Sequence, residues 1–251
     1  METRTQRRIK GWMDLEVTKV HQETHDTITF DFVNQKEKTR SFDYLAGQYL
    51  TFRFDHLGPK PLVRSYTMSS SPRQAAFASV TVKRVQGGLV SNHLVDHTKV
   101  GTLLRARGPI GKFCLPLRNP TKHLVMLAGG SGITPFVSII REFHDKLQKA
   151  AMPQTMEILA SFASSHDLIC IDQLQAAAGP HLKLTITLTR EKKEGFWHGR
   201  VGPDMIDKLV AGDYKDKTFM TCGPQAMMDM LKEHTAARGV PSHNFHMESF
   251  A

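Results

Sequence analysis

Between an apolar run and an amphipathic segment lies the stretch Leu127-Ala128-Gly129-Gly130-Ser131-Gly132-Ile133-Thr134-Pro135. Glycines let the backbone approach a ligand closely, and the free N–H groups at a helix start attract a pyrophosphate. A merely tight turn from strand to helix is the alternative, but three glycines in four positions favour phosphate binding. The spacing does not fit the G-x-G-x-x-G fingerprint of ordinary Rossmann dehydrogenases, so another dinucleotide fold is indicated.

Around this loop, apolar strands alternate with helical stretches. Phe136, Ile140 and Phe143 recur at helical spacing, and Pro135 stands where a first helical turn tolerates proline. The pattern predicts strands at 123–128, 155–161, 182–188, 217–221 and 244–248, with helices at 135–149, 167–177, 203–210 and 224–238. Such alternation is typical of a parallel sheet, here of five strands, covered by helices.

The residues before this region follow a different, alternating pattern. Short strands are predicted at 15–20, 27–32, 49–54, 63–69, 78–84 and 103–106, with one short helix at 91–96. Strands separated by turns predict an antiparallel β-barrel. We therefore expect an antiparallel β-barrel at 14–119 followed by an α/β domain at 120–251, with a basic tail at 1–13.

Composition excludes several classes of protein. The chain has 251 residues, 40% of them hydrophobic, and a formal net charge of +9. Its basic residues are scattered without interleaved aromatic rings, so nucleic acid is not expected as a partner. The apolar runs are too short to span a bilayer and the start lacks the core of a secretory signal, which predicts a cytoplasmic protein. The 3 cysteines and 13 histidines show no convincing metal-ligand spacing, and we assign no metal.

Two further motifs carry polar groups suited to a flat cofactor. The segment 64–70 combines a cation, an aromatic ring and hydroxyls, with Arg64, Tyr66 and Met68 facing one way on a strand. An ordinary polar edge strand is the alternative. The second motif is Thr221-Cys222-Gly223-Pro224, at another junction of strand and helix. Both glycine-containing loops should lie at the carboxyl edge of the sheet, where α/β proteins bind ligands.

The order of these motifs resembles the ferredoxin-NADP reductase superfamily over nearly the whole chain. The motifs are Arg-x-Tyr-Thr, Gly-Gly-x-x-Ser, Gly-Gly-Ser-Gly-Ile-Thr-Pro and Thr-Cys-Gly-Pro. Within it, the chain is most similar to the FAD/NAD(P)H reductase modules of bacterial oxygenases, flavohaemoglobins and hybrid-cluster-protein reductases. The resemblance implies an enzyme that passes electrons from NADH or NADPH through FAD to an acidic iron-sulfur or haem protein.

The resemblance also implies roles for individual residues. Thr67, Cys222 and Glu248 would lie at the reacting rings, as tuner of the flavin, neighbour of the nicotinamide and proton-relaying carboxylate. The expected flavin-binding residues are Arg64, Ser65, Tyr66, Thr67, Val82, Lys83, Gly88, Val90, Ser91 and Phe250. The expected nucleotide-binding residues are Gly129, Gly130, Ser131, Gly132, Thr134, Cys222, Gly223 and Pro224.

Two departures from the family pattern leave alternatives open. Three isolated cysteines cannot supply the four ligands of an iron-sulfur cluster, so any cluster belongs to another protein or another part of the chain. Segment 164–167 lacks an arginine for a 2′-phosphate, which favours NADH, although Arg190, Lys192, Lys193 and Arg200 could serve one. A free flavin or ferric reductase and a non-catalytic nucleotide-binding subunit are the competing interpretations.

Overall fold

The computed structural model describes residues 11–36, 43–74, 76–114, 122–147 and 154–250, with the backbone alone at 144–147. The chain divides into two compact units, Met1–Cys114 and Leu115–Ala251. Most of the predicted tail 1–13 lies outside the described residues, as do the predicted boundary at 119–120 and the predicted helical residues 148–149. The precise domain limits therefore stay a prediction.

The first unit is an antiparallel sheet of six strands with one helix, counted over its described residues. Along the sheet the strands follow the order β4-β3-β6-β1-β2-β5. Met68 and Val80 form an antiparallel bridge between the two outer strands, which brings the sheet's edges together as a barrel requires. The elements are β1 (Met13–Thr24), β2 (Thr27–Asn34), β3 (Tyr49–Phe54), β4 (Leu62–Thr67), β5 (Ala78–Lys83), α1 (Leu89–His97) and β6 (Leu103–Ile110).

Alternation along the strands fills the interior of this unit. Leu15 and Val17 on β1 are buried while their neighbours are more exposed, as a strand with one face inward requires. Phe30 and Phe32 meet Phe52 from β3, with ring centroids 6.1–6.3 Å apart and tilted or edge-on planes. Aromatic rings in such geometry add packing specificity to a large buried area.

The second unit is a parallel sheet with helices. Its elements are β7 (His123–Gly129), α2 (Thr134–Leu147), β8 (Thr155–Phe162), α3 (Ile171–Ala177), β9 (Leu182–Leu188), β10 (Trp197–His198), α4 (Pro203–Leu209), β11 (Lys217–Cys222), α5 (Gln225–Ala237) and β12 (Phe245–Glu248). Strand order is β10-β9-β8-β7-β11-β12, and every pairing is parallel. Strands β8, β9 and β10 therefore extend the sheet on one side of β7, and β11 and β12 extend it on the other side. Ligands of open α/β sheets bind at such a switch point, beyond the carboxyl ends of the strands.

The predicted fold class is confirmed, with two corrections in detail. Besides the five predicted strands, the two-residue strand β10 extends the sheet at the edge of β9. The predicted helix 167–177 is wrong in its first part. A 3-10 turn ends at Asp167, whose carboxylate accepts hydrogen bonds from the N–H and hydroxyl of Ser164, and Cys170 takes a left-handed φ of 55° before α3 begins. No helix in the described parts of the chain is both long and apolar enough to cross a membrane.

Candidate functional site

Strand β4 presents a cation and a half-buried ring on one face. The Tyr66 ring packs against Phe52 with centroids 6.0 Å apart, and burial raises the pKa of its hydroxyl to about 12 although Arg64 opposes the shift. Arg64 is exposed and donates to the backbone carbonyl of Val63 at 2.7 Å. The phenol thus stays neutral at physiological pH. The Arg64 guanidinium lies on the same face of β4, two residues before the Tyr66 ring, and a flat ligand can stack on that ring.

The neighbouring hydroxyls on β4 differ in their hydrogen bonding. Ser65 Oγ lies 3.0 Å from Thr51 Oγ1 on the adjacent strand. Thr67 Oγ1 is buried and has no hydrogen-bond partner among the described residues. A buried hydroxyl without a partner costs about 1–3 kcal/mol. Thr67 therefore has unused hydrogen-bonding capacity that a bound ligand could satisfy.

The turn from β5 into α1 is built by several of the predicted flavin-binding residues. Ser91 Oγ accepts a hydrogen bond from the N–H of Val85 at 3.1 Å. A Cβ on Gly88 would lie 2.7 Å from that same oxygen, so this position requires glycine. Helix α1 starts here without a side-chain cap, and its first N–H groups have no carbonyl partner within the helix. Those N–H groups are suited to an anion such as a pyrophosphate.

Three other predicted flavin-binding side chains are engaged in the barrel itself. Val82 and Val90 belong to the hydrophobic core, so only their backbone can reach a ligand. The Lys83 ammonium forms an ion pair with Asp26, at 2.9 and 2.8 Å from its two carboxylate oxygens. This ion pair lowers the pKa of Asp26 against the opposing effect of burial. Cofactor binding by these three residues, through the backbone alone for Val82 and Val90, stays a prediction.

In the second unit, the loop after β7 is a 3-10 turn that continues directly into α2. The turn spans Gly130–Ile133, and Thr134 Oγ1 donates to the carbonyl of Ser131 at 3.1 Å. Gly130 has a left-handed φ of 53°, and a Cβ there would meet nothing within 4 Å. Gly130 is therefore the glycine that leaves open space at the start of the helix, as a bound phosphate requires.

The other glycines of this loop are explained by a second loop that lies against it. A Cβ on Gly129 would come within 2.5 Å of Pro224 Cδ, and one on Gly132 within 2.2 Å of the Cys222 carbonyl oxygen. A Cβ on Gly223 would lie 2.9 Å from the Gly129 nitrogen. The two motifs predicted at one sheet edge are thus in direct contact, because β7 and β11, which precede them, are neighbouring strands.

A thiol and a carboxyl group face each other at the same edge. Cys222 ends β11 and is the register partner of Glu248, which ends β12. Cys222 is fully buried, and both burial and the Glu248 carboxylate raise the pKa of its thiol. Burial raises the pKa of Glu248 to about 7, and its Oε2 has no hydrogen-bond partner among the described residues. At neutral pH Cys222 is therefore a thiol, and Glu248 is partly protonated.

Two residues that sequence reasoning left out also lie in the second unit's site. Thr221, beside Cys222, is buried with an unpartnered Oγ1, judged over the described residues. Glu191 accepts hydrogen bonds from the Ser165 N–H at 2.6 Å and from its hydroxyl at 3.1 Å. Thr221 belongs to the Thr-Cys-Gly-Pro motif, so the sequence offered a signal for it. Glu191 belongs to no motif, and no local pattern pairs it with Ser165, 26 residues earlier in the chain.

The predicted C-terminal contact residue Phe250 is 48% exposed. Of the basic residues that could serve a 2′-phosphate, Lys193 donates to Ser165 Oγ at 3.1 Å, beside Glu191. The Glu191 pKa is lowered first by the Ser165 backbone hydrogen bond and then by the serine hydroxyl, Lys193 and His166. The Glu191 carboxylate thus lies at the ends of β8 and β9 together with the Lys193 ammonium, and Arg190, Lys192 and Arg200 are exposed nearby in the chain.

Comparison with known proteins agrees with this division of the site. Residues 14–114 match the oxidoreductase FAD-binding domain, and residues 126–233 match the oxidoreductase NAD-binding domain. The glycine betaine monooxygenase reductase subunit of Chromohalobacter salexigens is 32% identical over 98% of this chain and 66% of its own length. The subunit of the same name from Pseudomonas aeruginosa is 34% identical over 92% of this chain and 62% of its own length. The chain thus spans just under two thirds of the reductase subunits it matches.

A solved structure shows the same fold. The flavohaem-like FAD/NAD-binding domain of nitric oxide dioxygenase from Vibrio cholerae superposes with a TM-score of 0.83 at 20% identity. The match covers 94% of this chain and 98% of that domain. Both halves of the chain therefore have counterparts in one solved protein.

Proposed function

Because the chain belongs to the ferredoxin-NADP reductase superfamily of FAD- and NAD-binding oxidoreductases, we propose that it takes a hydride from NADH and passes the electrons singly to an acceptor protein. FAD supplies that chemistry when bound, since a flavin accepts two electrons together and releases them one at a time. The protein's part is to bind, orient and surround the reacting groups.

The residues of the first unit fit a bound flavin. The buried Thr67 hydroxyl lacks a partner among the described residues, and the Tyr66 ring beside it offers a stacking surface. The exposed Arg64, which uses one N–H group on the Val63 carbonyl, can pair with a flavin phosphate through the others. The uncapped start of α1 supplies N–H groups for the second phosphate of FAD, at the turn that Gly88 and Ser91 shape.

The observation that carries the proposal is the pair of Cys222 and Glu248 in the second unit. Their strands end side by side next to the glycine loop, so a dinucleotide whose pyrophosphate lies at Gly130 has its nicotinamide end toward Cys222. The neutral thiol gives the nicotinamide a compact polar neighbour without offering a competing nucleophile. Glu248, with its pKa raised to about 7, is able to hold or release a proton there.

We assign NADH as the donor on the geometry of Glu191. The strand order puts β8 and β9 on the opposite side of β7 from β11, so the adenosine end of the dinucleotide lies toward Ser165 and Glu191. A carboxylate there accepts hydrogen bonds from a ribose diol and repels a 2′-phosphate. Ser165 already donates both of its groups to that carboxylate, so it is not available to bind a phosphate.

The acceptor that we propose is an acidic iron-sulfur or haem protein. The similar reductase subunits are named as components of monooxygenases, and the chain's net charge of +9 suits an acidic partner. The cysteines number only 3, namely Cys114, Cys170 and Cys222, and Cys170 and Cys222 are buried. This part of the chain therefore cannot supply the four thiolates of a cluster of its own.

The test is retention of flavin together with turnover of a one-electron acceptor. Purified protein should keep FAD through gel filtration and reduce ferricyanide or a [2Fe–2S] ferredoxin with NADH. Loss of all flavin on the column, with activity restored only by millimolar free flavin, would indicate a flavin reductase. Retained FAD without NADH-dependent turnover would indicate a non-catalytic nucleotide-binding subunit.

A further inference from the structure

Three imidazoles lie side by side on the first unit, and none of them is among the flavin- or nucleotide-binding residues assigned above. We call His56, His93 and His97 the histidine cluster. The ring centroids of His56 and His93 are 5.1 Å apart, and those of His93 and His97 are 5.0 Å apart. His93 and His97 stand one turn apart on α1, whereas His56 follows β3. Sequence spacing alone misses the cluster because its third member lies 37 or more residues away in the chain.

The spacing of the rings suits shared coordination of a metal ion. Two imidazoles that bind one Zn²⁺ at about 2.0–2.1 Å in tetrahedral geometry have ring centroids about 5 Å apart. Residues four apart on a helix project from the same face, so His93 and His97 can both reach one ion. The nitrogens of the three rings do not yet all lie within 4.8 Å of one another. Binding therefore requires the exposed His56 and His97 rings to rotate, which their surface positions permit.

The surroundings of the cluster anchor its centre. The Phe54 ring lies 5.8 Å from the His93 ring and 6.3 Å from the His56 ring, and Phe54 itself belongs to the core. Asp96, on the same helix, accepts two hydrogen bonds from Arg84, at 3.0 and 2.6 Å. The charge of Asp96 is therefore balanced by Arg84, and the imidazoles alone are the proposed ligands.

We propose that the histidine cluster binds one divalent transition-metal ion, of the class that prefers imidazole nitrogen, such as Zn²⁺, Ni²⁺ or Cu²⁺. The ion links the second half of α1 to the segment that follows β3. Because it binds the folded arrangement of three residues distant in sequence, it stabilises the first unit against unfolding. This site uses none of the side chains assigned above to the flavin or the nucleotide, although His93 and His97 share α1 with Ser91.

The direct test is calorimetric titration of the untagged, flavin-containing protein with ZnCl₂ in a buffer that does not chelate metals. We expect one saturable site per chain. His93→Gln and His97→Gln should each weaken binding about 10-fold or more, because even the outer partners of metal ligands are worth about 10- to 100-fold. His21→Gln, at an exposed histidine of β1 in the same unit, is the matched control and should bind like the wild type.

Thermal unfolding of the same variants, and zinc binding by a third variant, provide a test that does not depend on any one substitution leaving the fold intact. His97 is exposed, so His97→Gln should leave the unfolding temperature of the metal-free protein unchanged while abolishing the rise that Zn²⁺ causes in the wild type. His56→Gln should weaken binding too. Absence of a saturable site, or equal Zn²⁺ affinity in wild type and His97→Gln, would overturn the proposal. Unchanged affinity in His56→Gln would overturn the assignment of a third ligand.

Discussion

Cys222 and Glu248 are register partners at the ends of β11 and β12, so a buried thiol faces a half-buried carboxyl group whose Oε2 has no hydrogen-bond partner among the described residues. Burial raises the pKa of both groups, and the Glu248 carboxylate raises that of the Cys222 thiol further. Both groups are therefore neutral below about pH 7. Above it, Glu248 carries a negative charge while Cys222 remains a thiol.

Glu248→Gln should flatten the dependence of stability on pH. The Glu248 pKa is raised from 4.5 to about 7, so between these values the folded protein holds a proton that the unfolded chain releases. The wild type should lose about 1–3 kcal/mol of stability as pH rises through this window. Thermal unfolding at pH 5 and pH 8 measures the change, and parallel behaviour of the two proteins would contradict the raised pKa.

The cysteines should differ sharply in reactivity. Burial and Glu248 raise the pKa of Cys222, whereas Cys114 is partly exposed. At pH 8 iodoacetamide should modify Cys114 at least about tenfold faster than Cys222 in the folded protein, because the thiolate is the reactive form. Mass spectrometry of the labelled sites provides the measurement, with urea-unfolded protein as the control in which all sites react. Equal labelling of Cys114 and Cys222 in the folded protein would refute the buried thiol.

Gly132→Ala and Gly130→Ala should separate packing from backbone strain. A Cβ on Gly132 would clash with the Cys222 backbone, whereas one on Gly130 has open space and only an unfavourable φ of 53°. We expect Gly132→Ala to destabilise by about 2–3 kcal/mol or more, and Gly130→Ala by about 1–2 kcal/mol. Urea unfolding midpoints give the comparison. The reverse order would show that the two loops do not approach as described.

Thr67→Val should act on flavin binding more than on the fold. The Thr67 hydroxyl lacks a partner among the described residues, so its replacement should leave flavin-free protein as stable as before or about 1 kcal/mol more stable. FAD affinity, measured by quenching of flavin fluorescence, should fall about 5- to 10-fold for loss of one hydrogen bond. Thr51→Val, which removes the contact with Ser65, is the matched control. Unchanged FAD affinity in Thr67→Val would remove this hydroxyl from the flavin site.

Glu191→Gln should relax the choice of nucleotide. The amide keeps an oxygen that accepts from Ser165 but removes the charge that repels a 2′-phosphate, so kcat/KM for NADPH should rise about tenfold relative to NADH. Glu194→Gln, an exposed carboxylate on the same loop, is the control and should leave the ratio unchanged. An unaltered ratio in Glu191→Gln would show that this carboxylate does not select the donor.

Local patterns in the sequence predict the elements well and their tertiary partners poorly. The glycine loop and the residues after it mark β7 and α2, because glycines and a proline at a strand-to-helix junction act on the local backbone. Lys83 pairs with Asp26, which lies 57 residues earlier in the chain, so local sequence patterns do not reveal this contact. The strand β10 has only two residues, too few for any periodicity to reveal.

The glycines also show how a local signal can have two causes. The sequence predicts phosphate binding at 129–132, yet Gly129 and Gly132 are glycines because the loop after β11 lies against them. Of these loop glycines, only Gly130 combines a left-handed backbone with open space. The sequence shows three glycines in this loop. The packing shows that two of them are required by a neighbouring loop and one by the turn itself.

Hydride transfer from NADH to bound FAD can be measured by anaerobic titration of the purified, untagged protein with NADH, followed by visible absorption. We expect a yellow protein whose bound flavin is bleached rapidly by NADH and much more slowly by NADPH at equal concentration. A colourless protein, or a flavin that neither nucleotide bleaches, would contradict it.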